Sequence, residues 1–181
     1  KWGAELLEKH TQLLKDFFLK YPNTTLLFEV IKHKEDPHIV DASKDDIVLL
    51  DCIKNEETFS KISLDDLRWF FLKNIKIKEF VKIIDSRSEL DTFIKVAKDE
   101  INTEGYVVED SNGYIFKVKT EWYFFWKKVR NWTPKILKEE KVVGYTQEES
   151  DLINWLKKNK HLLDTSSIPQ LRNLYEKESL S

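Results

Sequence analysis

Apolar residues recur at helical spacing near the start of the chain. Between residues 4 and 20 the stripe consists of Leu6, Leu7, His10, Leu13, Leu14, Phe17 and Phe18. This spacing predicts one helix, which Pro22 ends. Two β-rich runs follow, at residues 25–31 and 47–53, and they predict strands, the second of them buried.

Shorter patterns predict the elements that come next. Residues 38–40 suggest a short strand, and Ser-Leu-Asp-Asp at 63–66 has the form of a capping box that opens a helix. The alternation at residues 75–78 is typical of a half-exposed strand. A helix from Ser88 is predicted by a stripe of Leu90, Phe93, Ile94, Ala97 and Ile101.

A hairpin signal follows, because Asn112 and Gly113 lie between β-rich runs at 104–108 and 114–119. Asn-Gly favours a two-residue type I′ turn, in which both central residues have positive φ. That turn would place Tyr106 opposite Lys119. Side chains alternate along a strand, so the register divides the hairpin into two faces. The predicted core face carries Gly105, Val107, Tyr114, Phe116 and Val118. The other face carries Glu104, Tyr106, Val108, Lys117 and Lys119.

Two lysines therefore point to one side of the predicted hairpin. The strand rise places Lys117 and Lys119 about 7 Å apart, which suits a phosphate clamp. Glu104 beside them could hold a metal ion or a sugar hydroxyl. The alternative is a solvated strand face on which Glu104 simply pairs with one lysine.

The remaining pattern is helical. One helix is predicted at residues 121–132 and ends near Pro134. A second follows a capping box at residues 146–149, and a third is predicted at residues 169–176. Residues 1–132 are thus mixed α and β, whereas residues 133–181 form a helical appendage.

Composition narrows the class of protein. Hydrophobic residues make up 41% of the 181 residues and the net charge is −2, which argues against a nucleic-acid coat protein. The single cysteine, Cys52, cannot form an internal disulfide, so we expect a reducing, cytoplasmic environment. No apolar stretch reaches membrane-spanning length, so no membrane partner is expected.

The motifs around the hairpin resemble a known family. Glu104-Gly-Tyr-Val-Val, followed by Phe116-Lys-Val-Lys-Thr-Glu-Trp-Tyr, resembles motifs IV and V of the covalent nucleotidyltransferases, in the form found in ATP-dependent RNA ligases of the phage T4 RNA ligase 1 type. Leu27-Phe-Glu-Val resembles motif III of that branch. The resemblance covers roughly residues 1–130 and implies an α+β fold: an antiparallel-sheet nucleotidyltransferase (adenylation) core with a small C-terminal helical segment.

The resemblance also implies an activity. Enzymes of this kind join RNA 5′-phosphate and 3′-hydroxyl ends through enzyme-AMP and RNA-adenylate intermediates, using ATP and Mg²⁺, in the repair of cleaved RNA such as tRNA. Lys117 and Lys119 would neutralise the α-phosphate, and Glu104 would bind the metal or orient the nucleotide. The implied nucleotide-binding residues are Phe28, Glu29, Val30, Gly105, Tyr106, Lys117 and Lys119.

Glu29 carries a signal of its own, because it is the only charge in residues 25–31. A buried carboxylate is costly unless it is paired, so a bound ribose would explain it. The alternative is that Glu29 faces water on an edge strand.

RNA contacts are predicted beside the hairpin. Candidates are Trp122, Tyr123, Lys127, Lys128 and Arg130, where aromatic rings would stack on bases and cations would contact phosphates. The alternatives are that the aromatic residues pack in the core and that the cations lie on a solvated helix face.

One departure from the family is clear. No Lys-x-Asp/Asn-Gly motif occurs in the sequence, so the lysine that accepts AMP is missing from these residues. We expect the sequence to be a fragment that starts after that motif and is inactive alone. The partners expected are RNA ends, and the protein is expected to be a monomer. Other functions left open are a DNA ligase or capping-type nucleotidyltransferase, and a non-catalytic nucleotide- or RNA-binding relic.

Overall fold

The computed structural model describes residues 2–33, 38–40 and 44–179. The chain forms two compact units, one of residues Lys1–Asp36 and Ala42–Ile83, the other of Pro37–Asp41 and Ile84–Ser181. Both helices and strands are present, so the predicted α+β class is confirmed. No helix in the described ranges is long and apolar enough to span a bilayer.

The first unit contains a small sheet covered by helices. Its elements are α1 (Trp2–Glu8), α2 (Thr11–Lys20), β1 (Thr24–Ile31), β2 (Asp46–Lys54), α3 (Leu64–Phe71) and β3 (Lys76–Ile77). The sheet order is β1-β2-β3, with β1 antiparallel and β3 parallel to β2. The predicted strands at 25–31, 47–53 and 75–78 are confirmed within a few residues.

Helix α3 begins as its sequence predicts. Ser63 is the N-cap, and its hydroxyl oxygen accepts a hydrogen bond from the Asp66 N–H at 3.1 Å. Leu67 and Phe71 from this helix are fully buried against Phe17 of α2 and Leu49 of β2. The apolar stripe of the helix therefore closes one face of the sheet.

Two predictions in the first part of the chain are wrong. The single helix expected over residues 4–20 is two helices, because the chain turns at Lys9 and His10. The Thr11 hydroxyl donates to the Glu8 carbonyl at 2.6 Å, a local bond that competes with helix continuation. Residues 38–40 form no strand.

The second unit joins a hairpin to a helical bundle. Its elements are α4 (Arg87–Lys98), β4 (Gly105–Glu109), β5 (Ile115–Lys119), α5 (Glu121–Leu137), α6 (Gln147–Lys158), a short 3-10 helix (Lys160–Leu162) and α7 (Ile168–Ser179). Thr146 caps α6 as predicted, accepting from the Glu149 N–H at 3.2 Å.

The hairpin is present, but its predicted register is wrong by one residue. Val107, not Val108, lies opposite Lys117, and Gly105 lies opposite Lys119. The Asp110 N–H donates to the Tyr114 carbonyl at 3.0 Å, so the loop has three residues instead of two. Asp110 Oδ1 also accepts from the backbone N–H of Asn112 and of Tyr114, each at 2.8 Å. This carboxylate replaces the type I′ turn with a three-residue loop that ends in Gly113, whose φ is 81°.

The shifted register changes the two faces. Val107 and Tyr114, predicted in the core, are 61% and 69% exposed. Tyr106, predicted beside the lysines, lies on the opposite face, where its ring contacts Phe93 of α4 with centroids 5.2 Å apart. Phe116 and Val118 are inside, as predicted.

Helix α5 does not end near Pro134 but continues to Leu137, so the predicted boundary between residues 132 and 133 falls within it. Its apolar stripe packs against the helices that follow. The buried cluster contains Ile39, Trp126, Val129, Trp132, Ile136, Leu152, Ile153, Leu156, Leu163, Ile168 and Leu171. The aromatic residues of α5 are thus mainly core, and most of them pack on α6 and α7, whereas the prediction placed them against the core face of the hairpin.

Candidate phosphate-binding site

Strand β5 presents Lys117 and Lys119 on the same face of the hairpin, as the alternation of side chains requires. Lys117 is exposed, whereas Lys119 is half-buried. The two ammonium groups therefore differ. Lys117 is open to a ligand, and Lys119 is held by neighbouring side chains.

Gly105 shapes the end of the hairpin beneath Lys119. Its φ is +130°, and a Cβ at this position would lie 2.0 Å from the Val118 carbonyl oxygen. Only glycine allows the two strands to approach this closely. The Glu104 carbonyl then accepts from the Thr120 N–H at 3.2 Å, which closes the open end of the ribbon.

The turn from β5 into α5 is fixed by Thr120. This residue is fully buried, and its hydroxyl donates to the Thr103 carbonyl at 2.8 Å. The same hydroxyl oxygen accepts from the Tyr123 N–H at 2.9 Å, which makes Thr120 the N-cap of α5. One side chain thus ties the strand before β4 to the first turn of the helix.

Four side chains meet where β5 joins α5. The Glu104 carboxylate forms an ion pair with the Lys119 ammonium group. The Lys119 Nζ lies 5.1 Å from the centre of the Tyr123 ring, and the Lys127 Nζ lies 5.7 Å from it. A phenol therefore lies between two cations and one carboxylate.

The surroundings raise the pKa of this phenol. Burial is the main cause and the negative charge of Glu104 adds to it, whereas Lys119 and Arg130 act in the opposite direction. The Tyr123 ring thus lies beside the ion pair of Glu104 and Lys119. The cluster of Glu104, Lys117, Lys119, Tyr123, Lys127 and Arg130, here called the hairpin–helix site, carries four cationic groups and one anionic group.

The structure brings some predicted site residues together and separates others. Lys128 does not join this site, because it pairs with the Glu149 carboxylate of α6. Trp122 turns toward the bundle, where one face of its indole ring is covered by Arg172. Tyr106 donates its hydroxyl to Glu100 at 2.6 Å on the opposite face of the hairpin.

The motif III residues lie in the first unit. Phe28 packs against the buried cluster of that unit and Val30 is partly buried, whereas Glu29 is exposed. The expectation that Glu29 is buried is wrong, because β1 is an edge strand of the described sheet and its outer face carries this side chain. A register shift between Leu27 and Phe28 bends the strand just before Glu29.

Sequence reasoning missed the contact of Tyr123 with Glu104 and Lys119. The signal was present, because Tyr123, Lys127 and Arg130 are spaced i, i+4 and i+7 and share one side of a helix. Its direction toward the hairpin could be found only from the packing of α5.

The metal prediction rests on Glu104 alone in this site. Among the described residues no group of three or more acidic, histidine or cysteine side chains could hold a metal ion. A single carboxylate cannot complete the coordination of a metal ion by protein ligands alone. It nevertheless suits Mg²⁺, which retains several water ligands and is bound through one or two carboxylates together with substrate phosphates.

Comparison with known families gives a match over most of the chain. The model of a family described as RNA ligase, of the T4 RNA ligase 1 type, matches residues 2–132, which is more than two thirds of the chain. The chain therefore belongs to this RNA ligase family. A search of curated proteins finds no match.

Proposed function

We propose that the chain is part of an ATP-dependent RNA ligase with an adenylation core, and that the hairpin–helix site binds the α-phosphate of ATP. The observation that carries the proposal is the alignment of Lys117 and Lys119 on one face beside an acid and a protonated phenol. The substrates are RNA 5′-phosphate and 3′-hydroxyl ends, such as those of cleaved tRNA.

The chemistry proceeds in three displacements at phosphorus. A lysine amine attacks the α-phosphate of ATP and pyrophosphate leaves; an oxygen of the RNA 5′-phosphate then attacks the lysine-bound AMP and frees the lysine. In the last step the 3′-hydroxyl oxygen attacks the RNA 5′-phosphate and AMP leaves. Negative charge builds on nonbridging oxygens each time, and cations held on a rigid strand stabilise it.

The lysines have separate tasks in this scheme. Lys117, which is exposed, contacts the phosphate directly. Lys119 contributes its charge from a fixed position, because Glu104 and Tyr123 hold its ammonium group. Lys127 and Arg130 extend the positive surface along α5 and are suited to the RNA backbone.

Glu104 has the one carboxylate of the site and would hold Mg²⁺ together with the phosphate oxygens. When bound, this ion would supply positive charge against the charge that develops on the phosphate. Gly105 keeps the strand beneath Glu104 free of side-chain bulk. Glu29, exposed on β1, is available for a ribose hydroxyl, while Phe28 and Val30 support that strand.

The test is adenylylation of the protein at the full length that its gene encodes. We expect incubation with Mg²⁺ and α-labelled ATP to give covalently labelled protein-AMP, whose phosphoramidate bond is stable to alkali and is cleaved by acid. We expect Lys117→Ala and Lys119→Ala each to lower the labelling rate about 100-fold, the typical effect of removing one preorganised charge-stabilising group. Lys98→Ala, which removes an exposed lysine of α4, is the matched control.

Circular dichroism separates loss of chemistry from loss of fold, since neither site lysine belongs to the buried core. If the full-length protein takes no label but still binds AMP or RNA, the enzyme proposal fails and the non-catalytic relic is favoured. Transfer of the AMP label to DNA ends and not to RNA ends would instead favour a DNA ligase. Labelling by α-labelled GTP, with transfer of GMP to an RNA 5′-diphosphate end, would favour a capping-type nucleotidyltransferase.

A further inference from the structure

Arg172 is a buried cation in α7, beyond the residues that match the ligase family. It is 7% exposed, and its Nη1 donates to the Ile39 carbonyl oxygen at 3.0 Å. Its guanidinium carbon lies 4.8 Å from the ring centre of Trp122 and 5.9 Å from that of Trp126. A buried arginine is costly to desolvate, so its contacts require an explanation.

Both tryptophans belong to α5, and Trp122 directly precedes Tyr123 in its first turn. Trp122 faces the bundle, whereas Tyr123 faces Glu104 and Lys119. The first turn of a helix lacks some of the hydrogen bonds that hold its middle. It is fixed here from one side by the Thr120 cap and from the other by the stacked guanidinium group.

We propose that Arg172 is a positioning residue of the hairpin–helix site. It holds Trp122 against the bundle, and this fixes the orientation of Tyr123. The Tyr123 ring in turn contacts the Lys119 ammonium group, which is paired with the Glu104 carboxylate. The proposal rests on the proposed ligase function, and it makes the C-terminal helix a part of the site.

Arginine suits this task better than lysine or an apolar residue. Its planar guanidinium group covers an indole face while its N–H groups donate within the plane, here to the Ile39 carbonyl. A lysine ammonium group keeps the charge but loses the flat contact. A methionine keeps the volume of the stem but loses both the charge and the hydrogen bond.

The experiment compares Arg172→Met and Arg172→Lys with Lys177→Met, which makes the same change at an exposed position of α7. In the 181-residue chain labelled with 3-fluorotyrosine, Tyr123→Phe identifies the ¹⁹F resonance of Tyr123. We expect Arg172→Met to shift this resonance, because Trp122 and the first turn of α5 lose their support. Lys177→Met should leave it unchanged.

Activity is measured in the full-length protein as the single-turnover rate of joining 5′-adenylylated RNA to a 3′-hydroxyl strand. We expect Arg172→Met to lower this rate about tenfold or more, because small misplacements of catalytic groups are costly. The KM for RNA should change less than about threefold, since the RNA-contacting cations remain. Arg172→Lys should lie between the wild type and the methionine variant.

A purely structural role predicts a different result. If Arg172→Met lowers only the melting temperature, and leaves both the Tyr123 resonance and the rate per folded molecule unchanged, the proposal is overturned. If that variant does not fold, Arg172→Lys and Trp122→Phe provide the same comparison with smaller perturbations. If the wild type joins no RNA, the ligase function fails, while the ¹⁹F comparison still decides whether Arg172 positions Tyr123.

Discussion

Gly105 is the residue at which the backbone of the site is most constrained. It lies opposite Lys119, and the Val118 carbonyl oxygen occupies the space where a Cβ would be. The neighbouring Glu104 depends on this close approach for its backbone bond to Thr120. A side chain at position 105 would therefore disturb the acid and the lysine together.

We expect Gly105→Ala to lower the free energy of unfolding by about 3 kcal/mol, because it combines a disfavoured φ with a steric clash. Urea denaturation of the 181-residue chain measures this loss. Gly113→Ala is the matched control, since Gly113 also has positive φ, in the loop of the same hairpin. It should cost only about 1 kcal/mol, from the left-handed backbone alone. Equal losses would show that the contact with Val118 is unimportant.

Tyr123 shows how one residue type can serve two purposes. Its place in an aromatic run suggests packing, and its ring is indeed partly buried against the bundle. Its ring nevertheless contacts the Lys119 ammonium group in the site, and burial raises the pKa of its hydroxyl. Tyr123 therefore belongs both to the packed core of the second unit and to the hairpin–helix site.

Helices α5 and α6 are connected by an ion pair in which the carboxylate is buried and the ammonium group is exposed. Glu149 is 3% exposed, and it accepts from Lys128 and from the Tyr145 N–H, the latter at 2.7 Å. The hydrogen bond from Lys128, followed by that from Tyr145, lowers the pKa of Glu149, although burial acts to raise it. The carboxylate caps α6 and attaches it to α5.

This pair gives the fold a defined acid sensitivity. The pKa of Glu149 is lower in the folded than in the unfolded state, so its stabilisation is complete above about pH 4.3, the ordinary value for glutamate. It is lost as the pH falls through the lowered folded-state pKa. We expect Glu149→Gln to cost about 1–2 kcal/mol at neutral pH, an estimate that allows for solvent around Lys128.

Urea denaturation from neutral to acidic pH measures this difference. The gap between the wild type and Glu149→Gln should begin to shrink below about pH 4.3, where the unfolded state of the wild type takes up a proton, and should close below the lowered folded-state pKa, where the carboxylate is neutral in both states. Glu148→Gln, at an exposed position in the same turn, is the control and should show little effect. A gap that stays constant with pH would mean that the charge of Glu149 is unimportant.

At the scale of the whole molecule, the helices after residue 132 complete the second unit. Trp126 and Val129 of α5 are buried by Leu152, Leu156 and Leu171. These three leucines lie beyond the part that matches the ligase family. The match to the family therefore ends at residue 132, whereas the fold of the second unit continues through α7.

A chain that ends at Trp132 should consequently lose the fold of the second unit. The apolar face of α5 would be exposed to water, and burial of each large apolar side chain contributes about 1.5–3 kcal/mol. We expect thermal denaturation followed by tryptophan fluorescence to show no cooperative transition for this unit, whereas a chain ending at Ser179 should retain it. If the shortened chain keeps an unchanged transition, residues 133–181 are not needed for the fold of the second unit and the prediction is wrong.

Much of the local structure was predictable from the sequence because it is determined by near neighbours. The cap at Ser63 and the cap at Thr146 each need a side chain and an N–H only three residues away. The shared face of Lys117 and Lys119 follows from alternation along one strand. These features would be the same in any fold that kept the elements.

The hairpin register was not predictable from the turn dipeptide. Asn112 and Gly113 favour a two-residue loop, but Asp110 accepts two backbone N–H groups and lengthens it to three. One added residue shifts the pairing by one and exchanges which residues of β4 share a face with the lysines. A competing side-chain acceptor thus overrides the local backbone preference.

The sequence by itself determined most of the helices and strands, the caps at Ser63 and Thr146, the common face of the two lysines and the ligase family. Each depends on residues close in the chain or on a linear motif. Only the tertiary structure decided that Glu29 is exposed, that Tyr123 contacts Glu104 and that Arg172 covers Trp122. Exposure and contacts between distant residues depend on how the elements pack, and no short-range pattern in the sequence specifies that packing.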